Sequence, residues 1–395
     1  MKSVKVRLEL NNKQRTMAFR HCGVARHAYN WGVDVCQKAF ANGEKTPSAI
    51  DLHKKLVAEV KPANMWYYDS SKWSPQQALR NLEAAYKNFH RNQKQSGYKK
   101  LKQIRRDGKV VNVLEGLPQF KKRGERDSFY LEAGIKVEGN RIKVPKFGWL
   151  KASEPLPYSG IKSVVISRTA DQWFVSFKIE HAPAKTEKTK GAVGVDLGIK
   201  TLATLSDGTM FPSINPYRRL KSRLKRLQRK VSKKFVKGKV QSSNYRKASV
   251  NVARLYQKIA NQRKDYTHKL TTYLAKNHSE IVIETLNVKG MSKNHKLASA
   301  ILDGGFFEFS RQLEYKANWY GSTLTKVSTF YPSSKICSSC GTKKDILKLS
   351  ERTFKCVSCG FEKDRDLNAS LNLKNMAVSS TVSACGGINQ VNQCA

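Results

Sequence analysis

Four cysteines in two close pairs constrain this chain more than any other feature of its sequence. Two residues separate Cys337 from Cys340 and Cys356 from Cys359, and fifteen residues lie between the pairs. A glycine follows each pair and helps the backbone turn. Zinc binds such sets tetrahedrally, and four cysteine ligands leave no open position for chemistry. We therefore predict a zinc ribbon that holds one structural Zn²⁺ ion.

The other cysteines and the distribution of apolar residues indicate the cellular compartment of the protein. Cys22, Cys36, Cys385 and Cys394 have no ligand spacing, so we interpret them as free thiols rather than disulfide partners. No apolar stretch is long enough for a transmembrane helix. The first residues alternate like a strand and lack the apolar centre of a signal peptide. We expect a cytosolic protein that has no membrane partner.

Basic residues far outnumber acidic ones. The chain has 74 Lys and Arg against 30 Asp and Glu, a formal net charge of +44. Such an excess is self-repelling unless a polyanion neutralises it, and nucleic acid is the obvious polyanion. A solvated basic surface or binding to an anionic membrane is the alternative, but no amphipathic membrane helix stands out. Residues 217–240 hold twelve Lys and Arg and no acid, which favours a phosphate-binding ridge.

A short apolar run carries an acidic residue at its centre. Residues 193–199 read VGVDLGI with Asp196 in the middle, and strand-like residues follow on both sides of a turn at 206–208. This pattern predicts a β-meander with Asp196 on its first strand. Burying an Asp is costly unless it is paired or binds a metal, so Asp196 is either catalytic or a structural strand-end residue. Gly198 has no side chain, which would let a metal or a phosphate come close.

Two further acids flank predicted elements in the C-terminal half. Residues 281–283 form a buried-strand pattern that ends at Glu284, and Asp366 begins a short helix directly after the second cysteine pair. Strands and helices alternate here, which indicates an α/β domain. Carboxylates on three separate elements suit a two-metal phosphodiesterase, because Mg²⁺ prefers oxygen ligands. Spacing alone does not select these three acids.

The N-terminal half reads as a strand, then helices, then more strands. Residues 2–10 alternate, residues 12–42 and 74–89 show helical spacing of apolar residues, and residues 128–180 contain several short strand patterns separated by turns. The strand-rich part predicts a small β-barrel or sandwich. Residues 182–190 lack apolar periodicity and are interpreted as a linker into the second half.

At these residues the sequence resembles the TnpB family, the RNA-guided nucleases encoded by bacterial insertion sequences and related to type V CRISPR effectors. The C-terminal half carries the more specific motifs, which are GVDLGIKTLATLSDG (194–208), QRKVSKK (228–234), IVIETLNVKGM (281–291), FYPSSKICSSCG (330–341) and CVSCGFEKDRDLNASLNL (356–373). The front half matches more loosely, at YNWGVDV (29–35), LRNLEAAYKNFHR (79–91) and FKKRGERDSF (120–129). The resemblance covers nearly the whole chain.

The resemblance implies a multidomain α+β fold. An N-terminal wedge β-barrel would comprise residues 1–12 and 115–186, with a helical recognition module inserted at 13–114. A RuvC-like nuclease domain with an RNase H-like α/β fold would occupy residues 190–376 and contain the zinc ribbon at 331–363. The Ser-, Val-, Asn- and Gln-rich tail, residues 377–395, is expected to be disordered.

The resemblance also implies a function and its residues. The family's three catalytic acids carry over to Asp196, Glu284 and Asp366, with Asp366 preferred to Asp364, and they would hold two Mg²⁺ ions. The protein would be a prokaryotic, nucleoid-associated endonuclease that acts as a monomer or a dimer on one guide RNA, taken from the element end. It would cut double-stranded target DNA beside a short flanking motif, since base pairing reads the target in guided effectors. Nucleic-acid contacts are expected at Lys121, Lys122, Arg123, Arg226, Arg229, Lys230, Lys233, Lys234 and Arg365.

Two alternatives stay open at this point. A nuclease-inactive relative would act as an RNA-guided DNA-binding repressor, although none of the three acids is altered. A zinc-ribbon DNA-binding transposase accessory protein would explain the charge and the cysteines, but it would leave Asp196 and Glu284 without a role.

Overall fold

The protein divides into two compact units. The structure, a computed structural model, describes residues 2–96, 101–106, 109–156, 158, 160–180, 183, 185–348 and 350–384. The units are Met1–His181 and Ala182–Ala395, and each is considered by itself. The chain is therefore a multidomain α+β protein, as expected.

Helices of the first unit follow the predicted apolar spacing. α1 begins at a capping box, in which Asn11 Oδ1 accepts from the Gln14 N–H at 2.9 Å and Gln14 Oε1 accepts from the Asn11 N–H at 3.1 Å. Gly32 of α1 lies against Leu79 and Leu82, so the helices approach closely there. The helices are α1 (Asn12–Ala41), α2 (Ala49–Lys55) and α3 (Trp73–Ser96), with a π-helical turn at Leu56–Val60 and a 3-10 turn at Met65–Tyr67.

A seven-stranded antiparallel sheet forms the rest of this unit. Its order is β4-β8-β9-β1-β7-β6-β5, so the first strand of the chain lies in the middle, while β2 and β3 form a separate hairpin. No pairing joins β4 to β5 among the described residues, and closure into a barrel stays a prediction. The strands are β1 (Lys2–Glu9), β2 (Leu101–Arg106), β3 (Lys109–Leu114), β4 (Ser128–Glu132), β5 (Lys136–Glu138), β6 (Arg141–Val144), β7 (Gly148–Ala152), β8 (Ser163–Thr169) and β9 (Gln172–Ile179).

The second unit is built on a five-stranded mixed sheet of order β12-β11-β10-β13-β14. β10, β11 and β12 form an antiparallel meander, which confirms the predicted one, and β13 and β14 run parallel to β10. β10 and β13 are central and carry the first two predicted acids. The strands are β10 (Val193–Leu197), β11 (Thr201–Leu205), β12 (Met210–Pro212), β13 (Glu280–Glu284) and β14 (Thr323–Val327).

Helices cover both faces of this sheet. Ile281 and Ile283 pack with buried residues of α5 and α8, whereas Val282 between them packs with Leu373 of α9. Since successive side chains of a strand point to opposite faces, α9 lies across the sheet from α5 and α8. The helices are α4 (Pro216–Ser232), α5 (Ser243–Asn277), α6 (Val288–Met291), α7 (Ala298–Gly304), α8 (Phe306–Tyr320) and α9 (Arg365–Ala384).

The segment before α9 contains the cysteine pairs. A 3-10 turn at Ser333–Lys335 leads into the first pair, and a hairpin of β15 (Thr353–Lys355) and β16 (Glu362–Asp364) surrounds the second. α9 continues to Ala384, so the helix reaches into the predicted tail, and residues 385–395 with Cys385 and Cys394 lie outside the described residues. None of the helices described is long and apolar enough to cross a membrane.

Candidate active site

The three predicted acids meet on the face of the sheet that α9 covers. Gly194 of β10 pairs with Val282 of β13, and the same register continued by two residues sets Asp196 beside Glu284. Val282 faces α9, so Glu284, two residues on, shares that face, as does Asp196, two residues after Gly194. Asp366 lies in the first turn of α9. Two strand ends and one helix start therefore bring the carboxylates together.

Burial raises the pKa values of both strand acids, and like charges raise that of Asp196 further. Burial raises the pKa of Asp196 to about 8, and the Asp366 and Glu284 carboxylates add to the effect. Burial also raises the pKa of Glu284, against a hydrogen bond from Ser333 that lowers it. A cation would relieve both costs, because it replaces lost water and neutralises the repulsion. The site is thus suited to a metal that oxygen ligands hold.

Asp364 and Asp366 have different roles at the start of α9. Asp364 Oδ1 accepts from the backbone N–H groups of Asp366 and Leu367, each at 3.0 Å, which is an N-cap. Asp366 instead pairs with Arg365, whose Nη2 lies 3.3 Å from Asp366 Oδ1. Arg365 Nη1 also donates to the Glu351 carbonyl at 3.2 Å. Asp364 is engaged as the cap, and of the two acids Asp366 contributes more to the raised pKa of Asp196.

Ser333 and two asparagines are functional neighbours that the sequence analysis missed. The hydroxyl of buried Ser333 donates to Glu284 Oε1. Asn372 Nδ2 donates to the Ser333 carbonyl at 2.8 Å and to the Ile336 carbonyl at 2.6 Å. Asn368 Nδ2 donates to the same Ile336 carbonyl at 2.7 Å. The sequence offered a weak signal, since the two asparagines are four residues apart and share one face of α9.

The four predicted cysteines form one cluster. Their sulfurs all lie within 4.8 Å of one another. Among the described residues, this is the one group of three or more His, Cys, Asp or Glu side chains close enough to share a metal ion. The Cys337–Cys359 and Cys340–Cys356 sulfur pairs are 3.7 and 3.6 Å apart. Tetrahedral zinc with Zn–S bonds of about 2.3 Å needs sulfurs about 3.8 Å apart, so the cluster fits zinc.

Two glycines near Asp196 allow other backbone segments to pack closely against β10 and the turn after it. A Cβ on Gly194 would lie 2.0 Å from the Ser370 carbonyl oxygen and 2.5 Å from the Lys374 nitrogen, both in the backbone of α9. A Cβ on Gly198 would lie 2.7 Å from the Thr201 carbonyl oxygen. The structure therefore gives Gly198 a role in the β10–β11 turn, whereas the sequence had suggested room for a ligand.

The predicted nucleic-acid contacts fall into three structural settings. Exposed positions include Lys122, Arg123 and five basic residues at the C-terminal end of α4 and just beyond it, namely Arg226, Arg229, Lys230, Lys233 and Lys234. Lys121 is exposed too, but its ammonium lies 3.9 Å from the centre of the Tyr29 ring, and burial lowers its pKa. Arg365 is engaged with Asp366 and Glu351. Nucleic-acid contact at all nine stays a prediction.

The sequence did not predict a basic cleft in the second unit. It is lined by five cationic residues together with Asp303: Lys200, Arg218, Lys221, Lys296 and Arg352. Buried Asp303 accepts from the backbone N–H groups of Tyr217 and Arg218 at 3.0 and 3.2 Å, which fixes the start of α4. Lys200 follows β10 closely in the chain, and the Arg352 carbonyl accepts from the Arg365 N–H at 2.8 Å. Two lining residues are therefore linked to the segments that carry Asp196 and Asp366, although none of the three acids lines the cleft.

Comparison with known proteins places the chain in a family. A family model described as "Probable transposase" matches residues 174–295, one described as "Cas12f1-like, TNB domain" matches 306–373, and one described as "Helix-turn-helix domain" matches 1–45. The last description differs from the structure, in which β1 precedes the single long helix α1.

Relatives match along almost their whole length. The chain is 33% identical over 411 residues to the "Putative RNA-guided DNA endonuclease InsQ" of Escherichia coli (strain K12), across 99% of this chain and 95% of that protein. It is also 33% identical over 389 residues to a "Putative RNA-guided DNA endonuclease" of Streptomyces pristinaespiralis, across 98% and 91%. The solved structure of the mini-RNA-guided endonuclease CRISPR-Cas_phi3 aligns with a TM-score of 0.53 at 10% identity, over 95% of this chain and 92% of that one.

The α+β architecture, the four-cysteine cluster in a Cas12f1-like TNB domain and the structural likeness define a multidomain protein whose fold is similar to that of CRISPR-Cas_phi3. Within that class, the chain belongs to the TnpB family of proteins encoded by transposable elements.

Proposed function

We propose that this protein is an RNA-guided DNA endonuclease of a transposable element, which hydrolyses phosphodiester bonds of target DNA beside a short flanking motif. The observation that carries the proposal is the grouping of Asp196 with Glu284 and Asp366 on one face of the sheet, where desolvation and the two neighbouring carboxylates raise the pKa of half-buried Asp196 to about 8. Perturbed acids grouped in this way are typical of functional sites. The names of the most similar relatives agree with this activity.

Asp196, Glu284 and Asp366 would hold two Mg²⁺ ions. When bound, the ions would supply an activated water and charge stabilisation of the leaving oxygen. The protein's own part is to fix the three carboxylates on separate rigid elements, where bound metal would displace the proton that Asp196 keeps at neutral pH. Burial of the strand acids limits competing water, and Arg365 holds the Asp366 carboxylate. The four cysteines would hold one structural Zn²⁺.

The predicted domain boundaries remain part of the proposal. Residues 190–376 would form the RuvC-like nuclease domain, and the sheet order with an antiparallel meander followed by two parallel strands supports an RNase H-like fold. The zinc ribbon would occupy 331–363. In the first unit, the sheet strands agree with a wedge domain at 1–12 and 115–186, and α1 to α3 agree with a recognition module at 13–114, which ends in the β2–β3 hairpin.

A guide RNA from the element end and double-stranded target DNA would be the partners. The net charge of +44 supports polyanion binding, as do the exposed basic residues of α4 and the basic cleft of the second unit. The protein would act as a monomer or a dimer on one RNA, in the cytoplasm of a prokaryote. The cleft would hold phosphates of the DNA strand that reaches the carboxylates.

Purification with the native flanking DNA tests this proposal. The protein is expressed in bacteria beside that DNA, the co-purifying RNA is sequenced, and Mg²⁺-dependent cleavage is measured on a DNA library that matches the RNA. Wild-type protein should cut, and Asp196→Ala should bind RNA and DNA without cutting. Asp265→Ala is the control, because Asp265 is an exposed acid of α5 that pairs with Lys269 at 2.8 Å.

The possible outcomes separate the alternatives. A discrete RNA with guide-dependent cleavage supports the proposal. A discrete RNA with DNA binding but no cleavage by wild-type protein would identify a guided repressor. Absence of a specific RNA would favour a transposase accessory protein, and cleavage that persists in Asp196→Ala would remove the assignment of the site.

A further inference from the structure

We propose that Ser333 is a positioning residue for the Glu284 carboxylate and couples it to α9 and to the zinc ribbon. This inference rests on the proposed function, since it concerns the same carboxylate site. Ser333 contacts Glu284 through its hydroxyl and Asn372 through its carbonyl. It acts through Glu284.

The contact that carries the inference joins a buried hydroxyl to a half-buried acid. Ser333 is 2% exposed, and its hydroxyl donates to Glu284 Oε1. A donor to an ionised carboxylate favours the charged form and fixes the rotamer, and the second oxygen remains for another ligand. Glu284 is the last residue of β13, and it still pairs with Val327 of β14. Backbone pairing does not fix a side-chain rotamer, so the hydroxyl supplies the restraint on the carboxylate.

Ser333 is itself held in place by α9. Asn372 is 2% exposed, and its Nδ2 donates to the Ser333 and Ile336 carbonyls. Both donors of the amide group are therefore used within the segment that follows Tyr331. Asp366 lies on the same helix as Asn372. The hydrogen bonds from Asn372 to Ser333 and from Ser333 to Glu284 therefore fix the position of the Glu284 carboxylate relative to Asp366.

Hydrogen bonds from α9 also reach the first cysteine pair. Asn368 is fully buried, and its Nδ2 donates to the Ile336 carbonyl directly before Cys337. Its Oδ1 accepts from the Ser338 N–H at 3.0 Å, inside the pair. Zinc bound by the cysteines would hold this segment rigid. Neighbours of metal ligands that orient them typically change metal affinity 10- to 100-fold when they are removed.

Metal binding by the full-length, zinc-loaded protein tests the inference without nucleic acid. Mn²⁺ is titrated while its free signal is followed by electron paramagnetic resonance, and zinc content is measured for every variant. Ser333→Ala should bind Mn²⁺ about 10-fold more weakly and keep its zinc. Ser333→Thr retains the donor and should bind like the wild type. Ser334→Ala is the matched control, because the hydroxyl that binds Glu284 belongs to Ser333. Glu284→Gln gives the Mn²⁺ affinity expected when the carboxylate itself is lost.

Each outcome decides the matter. Weaker Mn²⁺ binding in Ser333→Ala, with wild-type values in Ser333→Thr and Ser334→Ala, supports the inference. Wild-type affinity in Ser333→Ala overturns it. A folded, zinc-loaded Ser333→Thr protein that binds as weakly as Glu284→Gln overturns it whatever Ser333→Ala does. A wild-type protein that binds Mn²⁺ at these acids but cuts no DNA would refute the proposed function and leave this test intact.

Discussion

At the scale of single residues, two acids of one helical turn differ in what they bind. Asp364 accepts two backbone N–H groups and caps α9, whereas Asp366 pairs with Arg365 and raises the pKa of Asp196 more than Asp364 does. We expect Asp364→Ala to lower the free energy of unfolding by about 1 kcal/mol and to change Mn²⁺ affinity only slightly. Asp366→Ala should have the opposite profile, because it removes a proposed metal ligand and leaves the cap intact.

Urea denaturation and Mn²⁺ titration of both variants measure the two effects. Equal losses of Mn²⁺ affinity in the two variants would show that both acids bind metal. An unchanged affinity in Asp366→Ala would assign the third ligand to Asp364.

Protonation of Asp196 gives a second prediction at this scale. Its pKa of about 8 lies above the ordinary value of 3.8. Between about pH 4 and about pH 8, the metal-free folded chain therefore keeps a proton on Asp196 that the unfolded chain has already lost. The stability of the metal-free protein therefore falls as pH rises from about 4 to about 8 through this group. Metal binding must displace the proton, so Mn²⁺ binding at pH 7 should release about one proton, and at pH 9 almost none.

Calorimetric titration in buffers of different ionisation enthalpy counts the released protons. Asp196→Asn should abolish the release that depends on this group. A proton count that is the same at pH 7 and pH 9 would contradict the raised pKa.

At the scale of secondary-structure elements, the contact of α9 with β10 depends on one glycine. A methyl group at Gly194 would meet two backbone atoms of α9 at 2.0 and 2.5 Å, and backbone cannot rotate away as a side chain can. Gly194→Ala should therefore push α9 and Asp366 away from Asp196, with a stability loss of about 3 kcal/mol or more. Gly191→Ala is the control, because nothing lies within 4 Å of a Cβ there.

Denaturation and Mn²⁺ titration again report the result. Gly194→Ala should lose metal affinity together with stability, and Gly191→Ala should resemble the wild type. A stable Gly194→Ala protein with normal affinity would mean that α9 tolerates a shift without moving the third acid.

Local patterns predicted the elements but not the contacts that organise the site. The cysteine pairs, the meander of Asp196 and the strand of Glu284 follow from spacing and periodicity, which a single sequence displays. Ser333 is 49 residues away from Glu284 in the sequence. Asp303 is 86 residues away from Tyr217, whose N–H donates to its carboxylate. Such pairs depend on how the elements pack, so no local signal marks them. The family resemblance selected the three acids, because alternation and spacing left other carboxylates equally eligible.

At the scale of the whole molecule, charge is the dominant property. Seventy-four basic residues against thirty acids predict that non-specific DNA binding weakens steeply with salt, since each neutralised phosphate releases counterions. The exposed end of α4 is expected to contribute. Lys230 lies in its last turn, whereas Lys269 of α5 is paired with Asp265 at 2.8 Å.

Substitution of one lysine at a time tests this distribution of charge. Lys230→Gln should reduce the slope of log K against log salt concentration by about 0.9, the value for one lost phosphate contact. Lys269→Gln removes the same formal charge but leaves the slope near that of the wild type, because its ammonium is already paired. The slopes are measured by fluorescence anisotropy on a random-sequence duplex at several salt concentrations. Equal decreases in the two variants would show that net charge alone sets DNA binding, and an unchanged slope in Lys230→Gln would place the phosphate contacts away from α4.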